Sequence, residues 1–168
     1  MAGTIQVRSY HGTTADAGTD VSAGAVRFKL ADNDTVDAVT PIAIPGAGTA
    51  YSWIKHLALH CTVAPSNAVN NCKFYTDGAN GLGTGVTVMA KISTYLNPTS
   101  NAATALTGTS DVFTTYGSVG AALAIPGSIG ATTGKISTDF VQCQMNVAST
   151  ATQGTTATET FTFSYDES

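Results

Sequence analysis

Charge is scarce in this sequence. Charged residues fill 11% of its 168 positions, against about 25% in an ordinary soluble domain. The basic residues, Arg8, Arg27, Lys29, Lys55, Lys73, Lys91 and Lys135, stand singly. Nucleic-acid binding needs lysines and arginines clustered against phosphates, so no nucleic-acid partner is expected. Glutamate is almost missing, with only Glu159 and Glu167. That argues against hydrolysis by paired carboxylates and against long helices. No apolar run approaches the ~20 residues that span a bilayer, so no membrane partner is expected. The opening Met1-Ala-Gly-Thr-Ile-Gln-Val lacks the basic and apolar regions of a signal peptide, which predicts synthesis in a cytoplasm. Cysteine is sparse and odd in number: Cys61, Cys72 and Cys143 read as reduced, buried thiols.

What fills the sequence is Thr, Ser, Ala, Gly and Asn around short apolar runs that alternate with period two. The clearest run predicts one long strand over Tyr51–Val63. It puts Tyr51, Trp53, Leu57, Leu59, Cys61 and Val63 on one face, with Lys55 the only charge among them. Ser52, His56, His60 and Thr62 fall on the other face, with Ile54 and Ala58. Further strands are predicted at Thr4–Tyr10, Ala25–Ala31, Val36–Ile44, Val69–Thr76, Val86–Tyr95, Val112–Tyr116, Ile136–Val147 and Thr158–Tyr165. The last would bury Phe161, Phe163 and Tyr165 together. At most a short helical turn is expected around Ala102–Leu106. A hairpin about Ser66 and Asn67 would set Cys61 opposite Cys72, Leu59 opposite Phe74 and His60 opposite Lys73. Opposed cysteines can oxidise, but cytoplasmic synthesis favours paired thiols, and the sequence leaves both states open. The pattern predicts an all-β fold, a single antiparallel β-sandwich of immunoglobulin-like or jelly-roll type. Residues 1–24 read as a short strand followed by an extended N-terminal arm, and residues 25–168 as the sandwich domain.

Reactive constellations fail one by one. Asp77–Gly85 is glycine-rich, but no Gly-Lys-Ser/Thr follows it and a strand, not a helix, comes next, so it reads as a hairpin turn rather than a phosphate loop. His56 and His60, four apart on a strand, lie ~13 Å from each other, too far to share a metal ion. His11 falls in the arm. Asp32, Asp34 and Asp37 could hold a cation, but the loop lacks the glycine and closing glutamate of an EF-hand. It reads as a solvated loop with Asx-turns, and a cation site stays open as the alternative. No local signature sets a Ser, Cys or Thr beside a His and an acid. Trp53 is expected in the core rather than on a sugar platform. No catalytic residue, cofactor or metal is expected, and the chain is not expected to be an enzyme.

Trp53-Ile-Lys-His-Leu, Asn71-Cys-Lys-Phe-Tyr-Thr-Asp-Gly78 and Leu82-Gly-Thr-Gly85 resemble segments of small virion structural proteins of tailed bacteriophages, especially β-sandwich head-decoration proteins. The likeness covers these short segments and carries over no catalytic residue. It implies a subunit that binds a capsid or tail lattice, often as a trimer, and stabilises the particle. The expected function is therefore a phage capsid decoration (cement) protein, located in the virion. Its partners would be the major capsid protein or other virion subunits, with the arm laid along a neighbour. The alternatives are a tail-tube or other tail subunit, and a carbohydrate- or receptor-binding module using Tyr95, Tyr116 or Trp53.

Overall fold

The computed structural model describes residues 1–24, 26–36, 39–98, 104–153 and 158–168. The strands are β1 (Thr4–Tyr10), β2 (Thr19–Asp20), β3 (Thr49–Tyr51), β4 (Lys55–Val63), β5 (Val69–Tyr75), β6 (Val86–Ser93), β7 (Ser110–Asp111), β8 (Leu123–Ala124), β9 (Gly134–Lys135), β10 (Phe140–Ala148) and β11 (Thr162–Glu167). Among the described residues a short α-helix, α1 (Val112–Thr115), and a single 3-10 turn at Val119–Ala121 interrupt them. All pairings are antiparallel. The larger sheet runs β2-β1-β4-β10-β6-β7, with β3 also on β10 and β9 also on β4; the smaller runs β11-β5-β8. The fold is an all-β sandwich.

The period-two pattern fixes which side of each strand is buried. In the larger sheet Val7 faces Leu59, Leu57 faces Val141, and Val141 faces Ile92. These side chains close on Cys72, Phe74 and Leu123 of the smaller sheet in one apolar cluster. The ring of Phe74 packs edge-on against Phe161 and Phe163 at 5.5 and 5.2 Å. Tyr165 does not share that burial and is 37% exposed. It sits where the β5–β11 register slips, between Ser164 and Asp166, and a bulge re-aims a side chain.

The long strand is broken in two. Ser52 Oγ donates to the Trp53 carbonyl and accepts from Met145 N, while Trp53 N donates to Lys29 O. Those bonds turn the backbone out of the ladder over residues 52–54, leaving Trp53 half-buried. The hairpin register is also overturned. Strand β4 pairs within the larger sheet and β5 within the smaller, so the chain between them crosses the core. Cys61 and Cys72 are buried free thiols on opposite layers, and His60 aligns with Lys135 and Gln6 instead of Lys73. For the same reason Asp77–Gly85 is a crossover between layers and not a hairpin turn. Asx-turns at Asp77 and Asn80 shape it.

Four predicted strands are absent or shorter among the described residues. Residues 26–36 and 39–48 are irregular, while Ala25, Asp37 and Ala38 lie outside the described residues. Their backbone is tied by single bonds such as Leu30 N to Thr40 O. Residues 112–115 form α1 because Asp111 Oδ1 caps the N–H groups of Phe113 and Thr114 at 2.8 and 3.2 Å. Residues 136–139 bend before β10, with Ser137 Oγ accepting from Asp139 N. The turn around Ala102–Leu106 falls partly outside the described residues.

Residues 1–24 are a short strand and a return. Strand β1 pairs with β4 along its whole length, and β2 folds back so that Arg8 faces Asp20. Gly18, at φ +73°, makes that return possible; a Cβ there would sit 2.8 Å from the Tyr10 ring. Val21 then enters the core.

Candidate functional site

The densest group of titratable side chains lies at one end of the sandwich, where the loop at residues 29–36 folds over the ends of β1 and β4. Parity places Ser9 and Lys55 on the inner face there, and both are fully buried. A lysine in that position must find oxygen partners, because an uncompensated buried charge is costly. The loop supplies them. Lys55 Nζ donates to Asn33 O at 2.8 Å and to Ala31 O at 3.4 Å, and lies 3.5 Å from Asp34 Oδ1. Asp34 Oδ2 lies 2.9 Å from His11 Nε2, and Oδ1 also accepts from Arg27 N. Asp32 Oδ2 accepts from Gly12 N at 2.7 Å, while its Oδ1 is buried without a hydrogen-bond partner. Lys29, also buried, donates to Thr35 O.

The acidic loop therefore closes on an ammonium. The expected solvated loop is corrected in one respect: the Asx-turn is present, with Thr35 N on Asn33 Oδ1, but Asp34 is buried. Asp37 lies outside the described residues. The carbonyls and carboxylate that a bound cation would use point at Lys55 Nζ. Among the described residues no group of three or more His, Cys, Asp or Glu is arranged to hold a metal ion.

Electrostatics follow from this geometry. Burial pushes the Asp34 carboxyl up, but the His11 hydrogen bond, the Lys55 charge and the Ser9 hydroxyl outweigh it and hold Asp34 at about 2. Burial pushes the Lys55 ammonium below its ordinary range, with Asp34 and Asp32 opposing. A shallow cavity of about 340 Å³ opens beside the cluster, lined by His11, Thr19, Val21, Asn33, Asp34 and Thr35.

Ser9, His11 and Asp34 have the residue types of a nucleophilic triad but not its geometry. Both Ser9 Oγ, at 3.2 Å, and Asp34 Oδ2 meet the same imidazole nitrogen, Nε2. A triad needs the nucleophile and the orienting acid on opposite nitrogens of the imidazole base. On the Nδ1 side, Asp16 stands 3.9 Å away. Ser9 is also sealed from any substrate.

The second cluster lies on the outer face. Tyr10, His56, Phe140 and Tyr95 pack ring on ring, with His56–Tyr95 centroids 4.3 Å apart and Tyr10–Phe140 5.1 Å. His56 is fully buried. Burial, then the nearby His11 and Lys55 charges, pulls its imidazole down to about 3, so it is neutral near pH 7. Its Nε2 accepts from Leu96 N. His60 is on the same face and half-buried. The three aromatics weighed for a sugar platform do not meet. Tyr95 joins the outer cluster and donates to Gly12 O, Tyr116 packs against the inner core, and Trp53 stands at the β3–β4 break.

Sequence reasoning placed Lys55 on an apolar face but missed its partners. Asp34 and His11 reach it through loops, and loop paths carry no period. The lone lysine in an apolar row was the signal that could have found them. Compared with protein-family models, with curated proteins and with solved structures, the chain finds no match.

Proposed function

We propose that this chain is a structural subunit of a tailed-phage virion, a capsid decoration (cement) protein acting as a homo-oligomer, in the simplest case a trimer. The observation that carries this reading is the open side of the sandwich. Among the described residues β11 pairs with β5 alone, and the return through β2 to Ser22 covers β1 from Val7 to Ser9, leaving the edge at Thr4–Gln6 open. Two strand edges thus flank a groove of about 290 Å³ lined by Ile5, Val7, Leu59, Phe161, Phe163 and Tyr165, among others. Free strand edges beside an apolar groove suit main-chain pairing with an extended partner segment. The inward use of Lys55, Asp34 and His11 leaves a hydroxyl-rich, weakly charged exterior, which repels close neighbours little. Many weak contacts repeated on a symmetric shell hold a subunit strongly.

Strand β1 is part of the sheet, so removing Met1–Asp20 would take away a central pairing partner of β4 and cannot test clamping by an arm. A point change in the groove can. The wild-type protein should co-sediment with intact virions at a copy number matching the head lattice, and Tyr165→Glu should abolish this while circular dichroism stays unchanged. Wild-type protein that stays in the supernatant would overturn the reading. A copy number of a few per particle would move the protein to the tail tip.

A further inference from the structure

We propose that Lys55 and Asp34 join in an intramolecular amide bond, formed by the folded chain itself, that staples β4 to the loop at residues 29–36. Three features of the site carry this. The first is proximity: Nζ stands 3.5 Å from Asp34 Oδ1, and both groups are held by other bonds, so the reactants are already oriented. The second is exclusion of solvent. Lys55 is fully buried and the Asp34 side chain is 8% exposed, so the amine is shielded from water even though a cavity opens on the His11 side of Asp34. The third is proton traffic. His11 Nε2 lies on the oxygen that must leave, Asp34 Oδ2.

The step balances without any external reagent. The Lys55 ammonium yields its first proton to the Asp34 carboxylate 3.5 Å away, which frees the Nζ lone pair and makes the carboxyl an electrophile. The Nζ lone pair attacks Cγ, forming the N–C bond of a tetrahedral intermediate. Loss of the second nitrogen proton and cleavage of Cγ–Oδ2 release one water. Both protons from Nζ end on that water, the first by way of the Asp34 carboxyl and the second relayed through His11, which returns to its starting state. Two buried charges become none. At rest the pair is ionic: burial pushes the Asp34 carboxyl up, but His11, Lys55 and Ser9 outweigh it, while burial pulls the Lys55 ammonium below its ordinary range.

Intact-mass measurement on the purified, denatured full chain tests the proposal. The expected result is a mass short by one water, with trypsin failing to cut after Lys55, so that the missing water maps to the peptide running from Leu30 to Lys73. Lys55→Arg keeps the positive charge but should show the full mass and normal cleavage. A wild-type chain at full mass overturns the proposal. So does a missing water that maps to Asp77-Gly78, where ring closure to a succinimide also expels water, or one that persists in Lys55→Arg.

Discussion

Lys55 and His56 are consecutive, fully buried and titratable, yet they point to opposite faces of one strand and meet opposite fates. On the inner face Lys55 stays beside a carboxylate and two carbonyls. On the outer face His56 finds the rings of Tyr95 and Phe140, one amide N–H and no acid, and it gives up its charge. Burial alone decides neither outcome. The partners that loops bring decide whether a buried group is paired or neutral.

The largest expected effect tests the neutral half of this pair. His56 has a folded pKa of about 3 against 6.5 when exposed, so the unfolded chain binds its proton first. Its contribution is intact above pH 6.5 and falls as pH drops from 6.5 to 3, by up to about 5 kcal/mol at 1.36 kcal/mol per pH unit. Urea unfolding across that range should show the loss, and His56→Gln should flatten it. A profile unchanged by the substitution would break the comparison. The charged half comes next. Lys55→Met strands Asp34 in the interior and also removes the amide staple. The stranded carboxylate should cost about 3–5 kcal/mol, and that share should be recovered in the Lys55→Met/Asp34→Leu double variant, which lacks the staple too. Equal stability of single and double variants would mean that Asp34 is not held by Lys55.

Two smaller effects set the scale. Asp111→Ala removes the α1 cap and should cost about 1 kcal/mol, measured as a shift in the urea midpoint. His60→Gln alters the same outer face where the ring is only half-buried, and should stay within about 0.5 kcal/mol. A large loss at His60 would show that the outer face is packed well beyond the His56 cluster.

The comparison also explains how much was legible in the sequence. Strand parity was readable: Leu57, Leu59 and Cys61 point inward and His56 and His60 outward, because the period of a strand is local. The break at Ser52–Ile54 was not, since it depends on Met145 and Lys29, far away in the chain. Nor was the layer of each strand. Alternation says which face of β4 and β5 is apolar, and both a hairpin and a crossing between layers satisfy it. The segment Val112–Tyr116 looks extended by composition, but Asp111 before it is a helix-start residue whose weight was overlooked. Asp34 was singled out for its neighbours Asp32 and Asp37, whereas its working partners are His11 and Lys55.

Because successive strands β4, β5 and β6 alternate between layers, neither sheet is continuous along the chain. Strand β5 waits for β11, more than eighty positions downstream, before it has a long partner. Loop-closure entropy must therefore be met before most contacts are rewarded, which makes folding slow and all-or-none. Until β11 arrives, Phe74 has no Phe161 or Phe163 to cover it, and that interval is when this chain is most exposed to aggregation.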